Sequence, residues 1–566
     1  MSRKPVSGYK LIFGYLGQFL ILIGVIMLVP LLMCFFYPEE RMAIFPFGIV
    51  AAVDFTLGLF LHFLFLQGKP RSRFTRHQDS HLLVLIWIFA ILSGAMPFFI
   101  ANLTGHMEMN FSEAIFESAS AYTTTGLTSF KDFIDGKVIA SSTGENLFAA
   151  GASYCPHVFT FHRAFMQFIG GMGLVLLVAS ILGGGNGVSL YEGEGHSDKL
   201  LPNIAKSAKL IFGIYAFYTV IGTVALWAAG MSWFDAVTTA MSALSGGGFN
   251  CRSANIASYR AFDGTTTLNG VTTMNSLAVD IIMIVLVLLS AISFVSHTFL
   301  LRGKFKNFFL DDEHKFMFPW ILGMTALAFI GVCLTLNPTG HFFDNAGEYL
   351  RDSAFYVVGS VTTSGFANTA SDSAFALANL GRPLLMICTV CMLIGGGMGS
   401  TAGGIKIYRI VLALKEFKHY VKTRFAPAHQ QFPKTAFHHG QVSEVSEKDV
   451  REAFMYMALF IGVFITLTAV LTFCPGYGLP QYGIASAAFD VASAISNTGL
   501  GLNDFVAYGA THQTASHVAL WALSIGMILG RLEILPFAYW FRNLKQERKY
   551  RRDVARAAHS LMNIEE

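Results

Sequence analysis

Four short segments decide the fold: TTTGLT (123–128), SGGGFN (245–250), TTSGFA (362–367) and SNTGLG (496–501). Each has a glycine at its fourth position, a hydroxyl residue three positions earlier and a large apolar residue directly after the glycine. One such segment would simply be a turn that ends a short helix. Four in register, at intervals of 117 to 134 residues, indicate an internal repeat.

The composition predicts an all-α polytopic membrane protein. The chain has 566 residues, of which 54% are hydrophobic and only 13% charged, and its mean hydropathy is +0.53. Soluble proteins carry roughly 25% charged residues, so a soluble fold of this size would lack the charges to cover its surface. The seven scattered cysteines exclude a secreted disulfide framework.

Apolar runs of about 20 residues span a bilayer, and ten of them can be read along the chain. They lie near 11–37, 44–67, 82–103, 158–182, 205–229, 277–301, 316–336, 383–414, 454–474 and 515–540. Shorter apolar stretches, such as Phe111–Ala121 and Phe234–Leu244, lie between paired spans and predict re-entrant helices. An acid or hydroxyl thirteen residues before each shared glycine suits the start of such a helix: Glu113, Asp235, Asp352 and Ser486.

The charges predict the orientation. Ten spans place both termini and every second loop on one side, and that side carries 30 of the 39 Lys and Arg residues. The positive-inside rule makes this side cytoplasmic. Each repeat is then a span, a short helix entering from the outside, a glycine turn and a second span.

Such a turn is suited to a monovalent cation. Non-helical backbone inside a membrane must be buried or line a cavity, and carbonyl oxygens can replace the water shell of an ion. The short helices point their partly negative C-terminal ends at the turns. No acidic residue lies in the turns, which argues against a site selective for divalent ions.

Four span–pore–span units with one glycine turn each resemble the Trk/Ktr/HKT superfamily of potassium transporters. The two extra N-terminal spans and the chain length resemble its TrkH/TrkG-like branch. The resemblance implies four repeats in a pseudo-fourfold arrangement around one pore, with K⁺ as the transported ion. It implies filter carbonyls from Thr124, Thr125, Gly126, Gly246, Gly247, Gly248, Thr363, Ser364, Gly365, Asn497, Thr498 and Gly499. Gly246 stands where this branch commonly has threonine, and Asn497 also departs from repeats 1 and 3.

The predicted organisation has six segments. They are an N-terminal helix pair (1–80), pore repeat 1 (81–190), repeat 2 (191–305), repeat 3 (306–415), a cytoplasmic loop with repeat 4 (416–545) and a basic cytoplasmic tail (546–566).

The span 383–414 is interrupted by GGGMGSTAGG (395–404). Each interior glycine costs a helix roughly 1 kcal/mol relative to alanine, so a continuous helix is not expected. The resemblance implies an intramembrane gating loop that includes Gly395, Gly396, Gly397, Gly399, Ser400, Thr401, Gly403 and Gly404. Small-residue helix packing and a dinucleotide-type glycine motif are the alternatives.

Two arginines lie within spans. Arg531 should face the interior, because a lipid-facing arginine is costly. The resemblance implies that it holds the gate below the filter, and the alternative is an arginine that extends to the inner interface. Arg163 is predicted to anchor the outer end of its helix. Of the cysteines, Cys155 and Cys251 could pair, whereas Cys388 and Cys391 are expected to be packing thiols.

The predicted function is potassium uptake through a gated, channel-like pore. The alternative is a sodium/potassium or proton-coupled symporter with sodium permeation. Coupling would need titratable groups near the midplane, and Arg531 is the only charge placed well inside a span. The sequence contains no nucleophile–base constellation, so an enzyme is not expected.

The expected location is the bacterial cytoplasmic (inner) membrane, in contact with lipid and with no nucleic-acid partner. The longest polar cytoplasmic loops, 184–204 and 415–450, are too short to form a nucleotide-binding domain. The resemblance implies a homodimer and a separate cytosolic nucleotide-binding (TrkA-like) regulatory subunit. The basic tail 541–566 could instead contact anionic headgroups.

Overall fold

The computed structural model of the chain is built mainly of helices. It describes residues 6, 8–67, 74, 78–105, 107, 109–129, 156–174, 204–252, 255–264, 273–336, 345–368, 381–426, 433–478, 482–502 and 511–534. Cys155, most of loop 184–204 and the basic tail 541–566 lie outside these residues, and so do the predictions made for them.

Seventeen helices and helix segments are numbered here among the described residues. In chain order they are α1 (Tyr9–Leu28, continued by Val29–Leu32 and Met33–Phe36), α2 (Ile44–Phe65), α3 (Gln78–Leu103), α4 (Phe111–Tyr122), α5 (His157–Met172), α6 (Ile204–Ala228), α7 (Trp233–Leu244), α8 (Ser276–Ser290), α9 (Phe294–Leu301), α10 (Phe305–Leu310), α11 (Asp312–Leu336), α12 (Ala346–Val361), α13 (Arg382–Leu393), α14 (Ile407–Phe425), α15 (Glu447–Thr472), α16 (Ile484–Ile495) and α17 (Gln513–Arg531). A β-hairpin, β1 (Thr435–His438) and β2 (Gln441–Glu444), lies between α14 and α15.

Six of the ten predicted spans are helices long and apolar enough to cross a bilayer. They are Tyr9–Phe36, Pro38–Phe65, Gln78–Leu103, Lys206–Ala228, Asp312–Leu336 and Glu447–Thr472. This set comprises the N-terminal pair and the first span of every repeat. The N-terminal pair packs closely because Gly17 and Gly58 face each other: an added Cβ on either would lie under 3.0 Å from the other's carbonyl oxygen.

The second spans of repeats 1, 2 and 4 differ from their predictions. α5 ends at Met172 and α17 at Arg531, well before the predicted ends of their spans. The predicted span 277–301 is two helices, α8 and α9, bent by 115°. The predicted break in span 383–414 is present, because α13 ends at Leu393 and α14 begins at Ile407. Within the described residues, a helix of each second span therefore ends or bends before the predicted end of the span, whereas the sequence indicated a break in only one.

The bend between α8 and α9 contains no glycine or proline, and serine hydroxyls form hydrogen bonds on both sides of it. Ser290 Oγ donates to the carbonyl of Val287 at 2.7 Å, which satisfies one of the last carbonyls of α8. Ser293 Oγ accepts from the N–H of Ser296 at 3.2 Å and caps the start of α9. The two hydroxyls therefore support the helix ends on either side of the break, whereas the freed carbonyls of Ser290 and Ala291 are bound by the loop 395–404.

The short helices begin largely as predicted. Asn110 and Glu113 form a capping box at the start of α4, with bonds of 3.0 and 2.8 Å. Ser232 caps α7 by accepting from the N–H of Asp235 at 3.1 Å. The prediction for Asp352 is wrong, because α12 begins at Ala346 and places Asp352 in its second turn, where it pairs with Arg260.

Arg163 is also not the interfacial anchor that was predicted. It is buried in α5, and its Nε donates to Glu117 Oε1 at 2.6 Å. Its guanidinium also lies 4.0 Å from the centre of the Phe249 ring, in the turn of repeat 2. Arg163 therefore joins the pore helix and second span of repeat 1 to repeat 2.

Replacing Arg163 with Met should destabilise the protein strongly. The change leaves the Glu117 carboxylate buried without its partner, which typically costs about 3–5 kcal/mol. A double variant, Arg163→Met with Glu117→Gln, should recover most of that loss. Thermal unfolding in detergent measures both.

The control is Lys448→Met, which removes an exposed ion pair with Glu452 and should change stability little. A single Arg163→Met variant as stable as the control would contradict the role assigned to this pair.

Candidate functional site

Each of the short helices α4, α7, α12 and α16 ends in the same hydrogen-bonded turn. The residue two positions before the shared glycine has a positive φ in every copy: Thr124 (58°), Gly246 (73°), Thr363 (52°) and Asn497 (55°). The N–H of this residue donates to the carbonyl of the residue three positions before it, at 3.0–3.2 Å. The N–H of the following residue donates to the carbonyl five positions before itself, at 2.8–2.9 Å. This is the Schellman ending of a helix.

Sequence reasoning missed this left-handed position. Glycine is the residue type that adopts a positive φ most readily, and the shared glycines Gly126, Gly365 and Gly499 do so while Gly248 does not. Threonine gave no signal, because a β-branched residue rarely adopts this conformation. The glycine and asparagine in repeats 2 and 4 are the types that adopt it most readily. The two departures from the threonine pattern therefore preserve the turn.

The repeated hydroxyl before each turn stabilises the backbone. Thr123, Ser245, Thr362 and Ser496 donate to carbonyls of the preceding helical turn at 2.5–2.8 Å. In repeats 1 and 4 a serine hydroxyl also accepts from the N–H of the shared glycine. Ser120 binds Gly126 at 3.0 Å and Ser493 binds Gly499 at 2.8 Å.

The four turns contact one another in cyclic order. In each case a Cβ added to the shared glycine would meet backbone of the next turn at less than 3.0 Å: Gly126 to N of Gly248 (2.7 Å), Gly248 to C of Gly365 (2.9 Å), Gly365 to O of Thr498 (2.0 Å) and Gly499 to O of Thr125 (2.0 Å). The ring runs from turn 1 through turns 2 and 3 to turn 4 and back to turn 1. All twelve predicted filter residues lie in these turns, and only glycine fits at the contacts.

The glycine-rich loop between α13 and α14 lies directly against this ring. The N–H of Gly403 donates to Thr363 Oγ1 at 2.8 Å, in turn 3. A Cβ on Gly403 would lie 1.9 Å from the carbonyl oxygen of Ser496, beside turn 4. Thr401 Oγ1 would lie 3.0 Å from a Cβ on Gly246, in turn 2. The loop thus approaches three of the four turns.

The same loop satisfies carbonyls that the broken helices leave free. The N–H of Gly397 donates to Ala291 O at 2.9 Å, and Thr401 Oγ1 donates to Ser290 O at 2.9 Å, both at the bend of repeat 2. The N–H of Ile405 donates to Leu393 O at 2.9 Å, at the end of α13. The helix-packing alternative is therefore wrong for this segment. The dinucleotide alternative also fails, because a helix precedes the glycines where that motif needs a strand.

Arg531, the last residue of α17, connects the loop to repeat 1. Its Nη1 donates to Thr401 O at 2.8 Å, and its Nη2 donates to Gly170 O at 2.5 Å. These contacts contradict the alternative of an arginine that extends to the lipid interface. Glu533 pairs with Arg409 at 2.5 Å, after α17 has ended. A cavity of about 30 Å³ lies among the loop, Asn497 and Arg531, which is room for little more than one water.

The family can now be assigned. The family model described as TrkH, cation transport protein, matches residues 134–552. The chain belongs to the TrkH family. This confirms the resemblance to the TrkH/TrkG-like branch of the Trk superfamily that the glycine turns predicted.

Individual proteins agree with the family assignment. The chain is 28% identical to the Trk system potassium uptake protein TrkH of Halomonas elongata, over 94% of this chain and 98% of that protein. It is 27% identical to an uncharacterized cation transporter of Methanocaldococcus jannaschii, over 96% and 97%. The crystal structure of the potassium transporter TrkH from Vibrio parahaemolyticus superposes with a TM-score of 0.72, at 25% identity, over 94% of this chain and 100% of that one.

The TrkH family is a family of cation transporters and not an enzyme family. The long apolar helices of this chain make it a multi-pass membrane protein. Two acids are also buried within helices, although Arg531 was the only charge predicted to lie well inside a span. Asp54 accepts from Ser93 Oγ at 3.0 Å, and Asp490 accepts from Tyr477 Oη at 2.9 Å. Cys388 and Cys391 are fully buried, as expected of packing thiols.

The left-handed position of this TrkH-family chain can be tested at Gly246. Replacing it with Ala should lower stability by about 1–2 kcal/mol, because an L-residue is strained at positive φ. Gly213→Ala is the matched control. Gly213 lies on the exposed face of α6 with nothing within 4 Å of an added Cβ, and alanine there should stabilise the helix by about 0.5–1 kcal/mol. Opposite shifts of the unfolding temperature are expected, and equal shifts would refute the assignment.

Proposed function

We propose that this chain carries potassium into the cell through one gated pore whose selectivity filter is the ring of four turns. The observation that supports this most directly is the cyclic contact of the shared glycines. The filter would use backbone carbonyls of 124–126, 246–248, 363–365 and 497–499. Eight membrane crossings, two from each of the four pseudo-fourfold repeats, would surround it, and the N-terminal helix pair would bring the total to ten.

The electrostatics of the ring favour a monovalent cation. The helices α4, α7, α12 and α16 all end at the ring, so their partly negative C-terminal ends meet there. The twelve turn residues include no acid, and carbonyl dipoles suit an ion with a modest dehydration cost. Relatives named as potassium uptake proteins favour potassium over the symport alternative.

The loop 395–404 would be the gate. It lies against the ring, and the cavity beside it is too small to hold a hydrated ion. Conduction would therefore require the loop to move, breaking its bonds to Thr363 and Arg531. The charge of Arg531 would add a barrier of roughly 2 kcal/mol for a cation about 8 Å away at an effective dielectric constant of 20.

The distribution of Lys and Arg residues and the names of the relatives support an orientation, a location and partners for this pore. The concentration of Lys and Arg on one side would place both termini in the cytoplasm and the chain in the inner membrane. The relatives' name, a Trk system, supports a multi-component assembly. We propose a homodimer with a cytosolic nucleotide-binding subunit, and the six-segment organisation given above.

Replacing Gly365 with Ser should alter the ratio of potassium to sodium flux more than it alters abundance. A side chain there would collide with Thr498 O and distort the carbonyl ring. Gly347→Ser is the matched control, because Gly347 lies in the first turn of α12, the helix that leads into the turn of Gly365, and has open space around it. Uptake of each ion in cells lacking their own potassium systems, together with protein abundance, gives the answer. A normally expressed Gly365→Ser variant with unchanged selectivity would remove Gly365 from the filter.

Replacing Arg531 with Ala should raise flux per molecule, by up to about thirtyfold if the whole barrier of roughly 2 kcal/mol is lost. Arg531→Lys keeps the positive charge but lacks the two guanidinium nitrogens that donate to Thr401 and Gly170. The flux of this variant should therefore be intermediate. Flux in reconstituted vesicles, normalised to protein, separates the three forms. Equal flux in all three would exclude Arg531 from gating.

A further inference from the structure

Three side chains with metal-binding atoms meet where the β-hairpin packs against the start of α11. They are Asp311, Glu313 and His438, here called the hairpin cluster. Their ligand atoms all lie within 4.8 Å of one another. The two acids come from one segment and the histidine from the tip of the hairpin, so only the folded chain brings them together.

The hairpin cluster holds more negative than positive charge. Asp311 and Glu313 are each 1% exposed. Asp311 pairs with His438 at 3.2 Å and accepts from the N–H groups of Glu313 and His439. Glu313 has no ion-pair partner within the described ranges. Burying a carboxylate without a counter-charge is costly, so the site favours an additional cation.

The neighbouring cations are held by other partners, and the buried Lys406, whose charge also acts on Glu313, donates to the carbonyl of Ala402. Lys315 and Lys415 both pair with Asp312, which lies outside the cluster. His314 is buried, and its Nδ1 binds the carbonyl of Phe308 at 2.8 Å. Its Nε2 has no hydrogen-bond partner in the part of the chain described, although the ring interacts electrostatically with Asp311. A metal-bound water could supply that missing partner.

We propose that Asp311, Glu313 and His438 bind one divalent transition-metal ion of the zinc class. Two carboxylates and one imidazole are a ligand set that such ions accept, with water in the fourth position. This ion is distinct from the transported one, because the transported ion would meet only backbone carbonyls in the ring.

The site would act on the glycine-rich loop. Glu313 Oε1 already accepts from the N–H of Met398 at 2.7 Å, inside the loop. The ring nitrogen of His439, next to His438, lies 3.1 Å from Ser293 Oγ at the bend of α8 and α9. A metal bound to Glu313 and His438 would clamp the loop, the bend and the hairpin together. This consequence rests on the gating role proposed above, whereas metal binding itself does not.

Binding is tested first, on the purified full-length protein. Titration with Zn²⁺ should show one site per chain, and Co²⁺ should give visible absorption bands from the same site. His438→Gln and Glu313→Gln should each weaken Zn²⁺ binding at least tenfold. His419→Ala, which removes a histidine from the nearby helix α14, is the matched control and should bind like wild type. Gel filtration and unfolding temperature show that each variant is folded.

Flux is tested second, in vesicles. Saturating Zn²⁺ should lower potassium flux in wild type and in His419→Ala, and leave His438→Gln unaffected. Absence of stoichiometric binding, or binding that survives both cluster substitutions, would overturn the site. Binding that is lost in the variants but never changes flux would overturn the clamp. Absence of potassium flux in wild-type vesicles without Zn²⁺ would instead count against the proposed function, whatever the binding result.

Discussion

The constraint on which the structure depends is that backbone groups freed from a helix in apolar surroundings must find new partners. Four short helices end inside the molecule and four second spans stop or bend beside them. Several of the freed carbonyls accept hydrogen bonds from a neighbouring part of the chain. The loop of repeat 3 binds the carbonyls of Ser290 and Ala291 in repeat 2, and Arg531 of repeat 4 binds that of Gly170 in repeat 1. The repeats are therefore held together by the breaks themselves.

Buried charges obey the same rule. Arg163 pairs with Glu117 and reaches the turn of the next repeat. Arg260 reaches Asp352 from the segment before α8, and Arg351 of α12 reaches Asp280 of α8 at 2.6 Å, so repeats 2 and 3 exchange ion pairs. Such pairs contribute little net stability when formed but cost much when broken. Their effect is to fix which repeat lies beside which.

The sequence was most informative where residue type leaves a backbone little choice. The shared glycines predicted four equivalent turns, and the run 395–404 predicted a broken helix. The break at Ser290 could not be predicted, because serine and alanine are compatible with a helix and the bend depends on partners from a distant loop. Arg163 was misplaced for a similar reason: its partner Glu117 lies 46 residues away in sequence, and no local pattern links them. The left-handed threonines were hidden because their side chains normally avoid that conformation.

The closure of the ring also has a consequence for biogenesis. Turn 1 needs Gly499 of turn 4 as its neighbour, and Gly126 of turn 1 approaches Gly248 of turn 2. A ribosome delivers turn 1 to the membrane long before turn 4 exists. Until the last repeat is inserted, the polar backbone of the first turn lacks one wall and must be covered by water, lipid headgroups or an insertion factor. The slowest step in assembling this protein should therefore be the arrival of its final repeat, and truncated chains should be targets for membrane quality control.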